Sequence, residues 1–140
     1  MAQRIKETAV VHEIFGPGKK GIRVLVWAIY EAEKMLFEEK VAMDDILVTK
    51  DIYPKVAKRL GKDGRSVARQ IERLGNQCWE TMDSAQKRKY LGKELKDIRA
   101  PKDMIFYLAF YVHFRQGFYK VLERKPQLLF GEEDPRHGCN

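Results

Sequence analysis

Residues 53–79 read YPKVAKRLGKDGRSVARQIERLGNQCW and contain two helical patterns separated by a short turn. The first pattern begins next to Pro54, which is tolerated in the first turn of a helix because its missing N–H would have no partner there. It ends at Gly61, and Asp63 can cap the second helix by accepting hydrogen bonds from free backbone N–H groups. Two short helices joined by a glycine-containing turn are typical of the helix-turn-helix. We therefore predict a helix-turn-helix at about 53–79.

The spacing of small and apolar residues meets the steric requirements of this motif. Ala57 is small enough for the crossing of the two helices, and Gly61 lies in the turn four residues later. On the second helix an apolar row recurs at helical spacing, which predicts the side that packs on the core. The row consists of Val67, Ile71, Leu74 and Cys78.

The opposite side of the second helix has residue types that suit recognition of the DNA major groove. Arginine can hold guanine with two hydrogen bonds, glutamine can do the same for adenine, and serine can bond phosphate or base. The N-terminal end of a recognition helix reaches deepest into the groove, so we expect base contacts there and contacts nearer the backbone further along. The predicted DNA-contacting residues are Arg65, Ser66, Arg69, Gln70 and Arg73.

Basic residues on or just after the first helix predict phosphate contacts, which set affinity and register but not sequence. They are Lys55, Lys58, Arg59 and Lys62, and of these we count Lys58 and Lys62 among the site residues.

The rest of the chain also reads as helical, and no alternating pattern bounded by hairpin turns indicates a strand. The further predicted helices cover residues 2–14, 19–40, 84–91 and 101–124, with a short helical turn within 41–50. We predict an all-α fold, a compact bundle of about six helices. Residues 1–124 form a single DNA-binding domain in this interpretation, and residues 125–140 form a flexible tail.

The positive charge is concentrated in the middle of the chain. The net charge is +7, and residues 51–99 hold 13 basic and 7 acidic side chains, whereas residues 1–50 hold 8 of each. A basic surface of this kind suits a polyanion such as nucleic acid. The alternative interpretation is a solvated surface that maintains solubility.

Composition predicts the compartment. Two cysteines in 140 residues do not make the disulfide framework of a small secreted domain. The charged N-terminus does not read as a signal peptide, and no apolar run is long enough to span a bilayer. We expect a cytoplasmic protein that is not inserted in a membrane.

Residues 49–58 and 65–71, followed by Trp79, resemble the C-terminal DNA-binding domain of the sporulation master response regulator of spore-forming Firmicutes. The resemblance covers about residues 8–122. It implies a six-helix domain whose fourth helix enters the major groove, often as two domains on tandem sites. It also implies a contact with the sigma subunit of RNA polymerase through the segment that residues 80–96 occupy here.

The sequence departs from that family within the predicted recognition helix. As we align it, Ala68 replaces an acidic residue and Glu72 replaces a basic one. A carboxylate at Glu72 can accept from a cytosine amino group but repels phosphate, so we expect an altered target sequence. Residues 87–89 are Lys-Arg-Lys, which favours phosphate contact over polymerase contact in this segment. Family members begin with a phosphoacceptor receiver domain, and the resemblance here covers only the DNA-binding domain that follows it. We therefore expect no phosphorylation control within this chain.

The histidines, and Cys139 in the tail, give only weak evidence for a catalytic or metal site. His12 and His113 lie in helical segments with no nucleophile nearby, and we interpret both as structural, with His113 facing the core or a partner. His137 and Cys139 are two ligands on the tail, too few for a zinc site. We find no nucleophile constellation, phosphate loop or carboxylate pair, and predict neither an enzyme nor a cofactor or metal site.

The alternative function is a helical protein-interaction module. The run of large apolar residues in the last helix could bind a partner, while the basic surface binds nucleic acid without sequence preference or not at all. These residues are Phe106, Tyr107, Phe110, Tyr111, Phe114, Phe118 and Tyr119.

Overall fold

A computed structural model of the protein describes residues 5–96 and 100–131. These residues form eight α-helices and no strand, so the predicted all-α fold is confirmed, with more and shorter helices than the predicted six. The helices are α1 (Ile5–Phe15), α2 (Arg23–Glu33), α3 (Tyr53–Leu60), α4 (Gly64–Thr81), α5 (Ser84–Leu91), α6 (Asp103–Phe114), α7 (Phe118–Arg124) and α8 (Gln127–Phe130).

Irregular helical turns connect α2 to α3. A π-helical turn at Lys34–Glu38 extends α2, and a second one at Val48–Ile52 leads directly into α3. A short 3₁₀ segment, Met43–Asp45, lies between them. The predicted helix over 19–40 begins later, at Arg23, after a turn in which Gly21 has a left-handed φ of 76°.

The centre of the fold is α6. Residues 104–112 are all buried, and α6 packs against α1, α2, α4, α5 and α7. A helix that is apolar on every side is expected inside a core rather than on a surface. The prediction that most of the aromatic run belongs to the core is confirmed, because five of its seven residues are buried and Phe114 and Tyr119 are partly buried.

The predicted single helix over 101–124 is wrong, because the chain breaks between α6 and α7. Arg115 adopts a left-handed conformation with a φ of 57°, and Gly117 follows two residues later. A Cβ atom at Gly117 would lie 2.3 Å from the backbone nitrogen of Gly92, so the two backbones touch where a side chain could not fit. The break allows α7 to turn back and pack on α5 and α6.

The predicted flexible tail begins with a helical turn. Helix α8 packs against Met43–Asp45 and α7, and the side chain of Leu128 packs on the core. The part of the tail that holds His137 and Cys139 lies outside the described residues.

His113 differs from its predicted environment. Its side chain is exposed at the end of α6 and stacks on Phe37, with ring centroids 4.0 Å apart and planes inclined by 12°. Desolvation by the stacked ring, with the positive charges of Lys125, Lys6 and Lys40, lowers the pKa of His113. We therefore assign His113 a packing role at the surface, between α6 and the π-helical turn after α2.

Among the described helices, none has both the length and the apolar character needed to cross a bilayer.

Candidate nucleic-acid interface

Local sequence signals determine where α3 and α4 begin and end. Pro54 lies in the first turn of α3, and Gly61 ends the helix with a left-handed φ of 65°. The carboxylate of Asp63 accepts a 2.7 Å hydrogen bond from the backbone N–H of Ser66. This bond satisfies one of the free donors at the start of α4 and confirms the predicted cap. The turn between the two helices is therefore only three residues long.

One side of α4 is locked into the core. Val67, Ile71, Leu74 and Cys78 are each at most 1% exposed, which confirms the predicted apolar row. Burial raises the pKa of the Cys78 thiol to about 12, so it stays protonated at neutral pH. Helix α4 packs on α1, α2, α3 and α6. These contacts fix the rotation of α4 about its axis.

The other side of α4 presents a row of arginines to solvent. Arg65, Arg69 and Arg73 are all exposed, at spacings of four residues that place them along one face. None of the three forms an ion pair with another described residue. Because arginine stays charged at physiological pH, this row is a fixed positive surface with its donors free.

Ser66 and Gln70 lie beside this row and contact each other. Both are partly buried, and the Gln70 Nε2 donates a 2.9 Å hydrogen bond to the Ser66 Oγ. The pairing leaves the Ser66 hydroxyl proton and the Gln70 carbonyl oxygen available. All five predicted contact residues therefore lie on one continuous surface, with the two uncharged side chains at its edge. They are Arg65, Ser66, Arg69, Gln70 and Arg73.

The predicted phosphate contacts on α3 divide into two groups. Lys55, Lys58 and Lys62 are exposed, and none of them pairs with an acidic residue in the described part of the chain. Arg59 instead turns toward α2. Its Nη2 lies 3.5 Å from the Glu31 Oε2, and its guanidinium lies 4.1 Å from the centroid of the Trp27 ring. The interpretation of Arg59 as a phosphate ligand is therefore corrected, because this side chain is already engaged within the domain.

Glu72 brings a negative charge to the exposed side of α4. It lies close enough to Tyr53 that burial of the phenol and the Glu72 carboxylate together raise the Tyr53 pKa to about 12. Glu72 therefore places an acidic side chain beside the exposed arginines of α4, as the sequence predicts. This position lies where α3 and α4 face each other.

No family model, curated protein or solved structure matches the chain. The resemblance to the sporulation regulator, and the helix-turn-helix interpretation that accompanies it, stay predictions.

Two contacts near the C-terminal half of α4 were not predicted. The Lys19 Nζ donates to the Gln77 Oε1 at 3.1 Å, and the Lys87 Nζ lies 4.2 Å from the centroid of the Trp79 ring. Both lysines are partly buried at the edges of α4. The Lys19 contact joins residues 58 positions apart, so no local sequence signal could have identified it.

Proposed function

We propose that this protein is a DNA-binding transcription regulator that inserts α4 into the major groove and reads a specific sequence there. The proposal assigns base contacts to Arg65, Ser66, Arg69 and Gln70, and a backbone or base contact to Arg73. Lys58, on α3, and Lys62, in the turn, hold phosphates. It excludes a catalytic role.

The observation that supports the proposal best is that α4 has two rows of side chains on opposite sides. A buried apolar row fixes the helix, and an exposed arginine row with no acidic partner among the described residues faces away from the core. A recognition helix needs both properties, because its side chains must be held in register while their donors stay free for bases. Asn76 extends the exposed side by another potential base contact.

Glu72 defines how the target should differ from that of the resembled family. Its carboxylate is exposed and lies between two arginines on the same helix. A carboxylate in the major groove accepts from the cytosine amino group, and it disfavours positions that place a phosphate against it. We propose a target sequence with a cytosine opposite Glu72.

The resemblance supports two further parts of the proposal. Two copies of the domain bind tandem sites on one duplex. Contact of the segment 80–96 with the sigma subunit of RNA polymerase is the second proposed interaction, and it is the weaker one because residues 87–89, Lys-Arg-Lys, favour phosphate contact.

The alternative function, a protein-interaction module, has less support. It required the apolar side of the last helix to be available to a partner. In the domain this surface is packed between five other helices, and residues 104–112 are buried.

The test is selection of bound duplexes from a random DNA pool by the purified full chain, repeated with Arg69→Ala. We expect one enriched motif with the wild type and a degraded motif with Arg69→Ala. Arg23→Ala is the matched control, because Arg23 is also an exposed arginine on a helix but lies on α2. It should leave the motif unchanged.

Failure of the proposal would have a clear signature. If no motif is enriched, and binding to every duplex weakens equally with salt, α4 is only a charged surface. A competition between the box of the resembled family and a scrambled duplex adds a second criterion, since equal affinity for both contradicts specific recognition.

A further inference from the structure

Helices α5 and α7 border a second basic surface that has no part in the proposed α4 interface. The two helices enclose an open groove of about 570 Å³. Its walls include Arg88 and Lys89 on α5 and Lys120, Glu123 and Arg124 on α7. We refer to this feature as the α5–α7 groove. Four of these five charged side chains are basic.

The fold brings these charges together by a close contact between the two backbones. Gly117 lines the groove, and its backbone packs directly on the backbone of Gly92 at the end of α5. Lys120 and Arg124 are four residues apart, so they lie on the same side of α7. Together with Arg88 on α5 they line the same groove. Like charges held in a concave site repel one another and concentrate a positive field.

Two of the four cations, Lys120 and Arg124, form no ion pair with a described residue, and Glu123 is the acidic side chain in the groove wall. Arg124 donates to the neutral Gln116 Oε1, and Lys120 forms no ion pair with any described residue. Arg88 pairs with Glu94 at 3.3 Å, but both side chains are more than half exposed. An exposed pair of this kind contributes little stability, so a stronger anion can replace Glu94.

Lys89 differs from the other three. Its Nζ lies 2.5 Å from the Glu13 Oε1, which also accepts from the Tyr90 hydroxyl. We therefore treat Lys89 as a structural residue that adds to the field of the groove. The three cations available to a ligand are Arg88, Lys120 and Arg124.

From this arrangement we infer that the α5–α7 groove binds phosphate groups, and that its ligand carries at least two of them. Guanidinium and ammonium groups are the usual protein ligands of phosphate. The groove volume is within the size range of small-molecule sites, and three cations carry more positive charge than a single phosphate neutralises. Two sources supply this chemistry: successive phosphates of a nucleic-acid backbone, or a soluble polyphosphorylated molecule.

The first experiment uses the full chain and inorganic tripolyphosphate, titrated by calorimetry at low salt. Lys120→Gln combined with Arg124→Gln removes two ligands that have no structural ion pair. Lys20→Gln combined with Lys102→Gln removes the same charge from exposed positions outside the groove. We expect the groove variant to lose affinity by at least about tenfold and the control by less than about twofold.

The second experiment separates the two sources. Binding of each variant is measured to a duplex that just covers the α4 footprint and to the same duplex extended by one helical turn at each end. Selective loss of affinity for the extended duplex by the groove variant identifies backbone phosphates as the source. Unchanged affinity for both duplexes, with lost tripolyphosphate binding, identifies a soluble ligand.

The inference does not depend on the proposed function of α4. Arg69→Ala should degrade the enriched DNA motif and leave tripolyphosphate binding intact. The groove is not a phosphate site if the wild type does not bind tripolyphosphate, or if the groove variant and the control lose affinity equally. Circular dichroism and thermal unfolding verify that the variants are folded.

Discussion

The guanidinium of Arg59 stacks over the Trp27 ring, 4.1 Å from its centroid, and ties α3 to α2. The same group neutralises Glu31, whose side chain is only 4% exposed. Arg59 lies two residues before Gly61, where the turn to α4 begins, so this contact holds the end of α3 against α2.

Replacement of Arg59 by alanine should destabilise the domain by about 1–3 kcal/mol, because it leaves the Glu31 carboxylate buried without its cation. The free energy of unfolding in urea measures the effect. Lys58→Ala, at an exposed neighbouring position, should change it by less than about 0.5 kcal/mol. Adding Glu31→Gln to Arg59→Ala should recover part of the loss, and failure to do so would mean that stacking on Trp27, not charge neutralisation, dominates.

Lys58→Ala and Lys62→Ala should weaken DNA binding uniformly across sequences, since phosphate contacts carry no base information. The slope of log K against log salt should decrease by about 0.9 for each lysine that contacts a phosphate of duplex DNA. Fluorescence anisotropy over a salt series measures both quantities. A change in the selected motif would contradict a pure phosphate role for these two residues.

Gly75→Ala should destabilise the domain by at least about 2 kcal/mol, because the new methyl group would lie 2.3 Å from the Pro101 carbonyl oxygen. Helix α4 would have to separate from the start of α6. Gly64→Ala is the matched control, since a Cβ there meets no atom within 4 Å. Thermal unfolding should show no loss of stability for Gly64→Ala and a gain of up to about 1 kcal/mol from helix propensity.

The cluster of Glu13, Lys89 and Tyr90 should make stability depend on pH. Hydrogen bonds from Lys89 and Tyr90 hold the pKa of Glu13 below its ordinary value of 4.5. The native state therefore binds this proton less readily than the unfolded state. The stabilisation is complete above the unfolded pKa and disappears as the pH falls through the lower native value.

Urea unfolding between pH 7 and pH 3 tests this behaviour. The stability difference between the wild type and Glu13→Gln should be largest near neutral pH and should shrink on acidification. Glu38→Gln, at an exposed acid with no ion pair to a described residue, should give a small and nearly constant difference. A difference for Glu13→Gln that does not vary with pH would contradict the assignment.

The sequence was sufficient to predict the elements whose signals are local. The cap at Asp63, the glycine stop at Gly61 and the buried row from Val67 to Cys78 all follow from neighbours within a few turns. The pairing of Ser66 with Gln70 is also local, since residues four apart meet on a helix, and it could have been predicted.

Other features depended on contacts between distant residues. The sequence alone places Arg59 among the phosphate ligands, because Trp27 and Glu31, which contact its side chain, lie on another helix. The break after α6 was not predicted, although Gly117 is visible in the sequence, because the close approach of its backbone to Gly92 exists only in the fold. The α5–α7 groove likewise exists only after these two glycines bring separate basic segments together.

The central position of α6 also constrains the order of events during synthesis. Translation proceeds at about 5–20 residues per second, so α4 leaves the ribosome seconds before α6, one of the four helices that pack on it. Until residues 103–114 emerge, Val67, Ile71 and Leu74 have no finished core to pack on. Until then the apolar row of α4 lacks the contacts that α6 supplies.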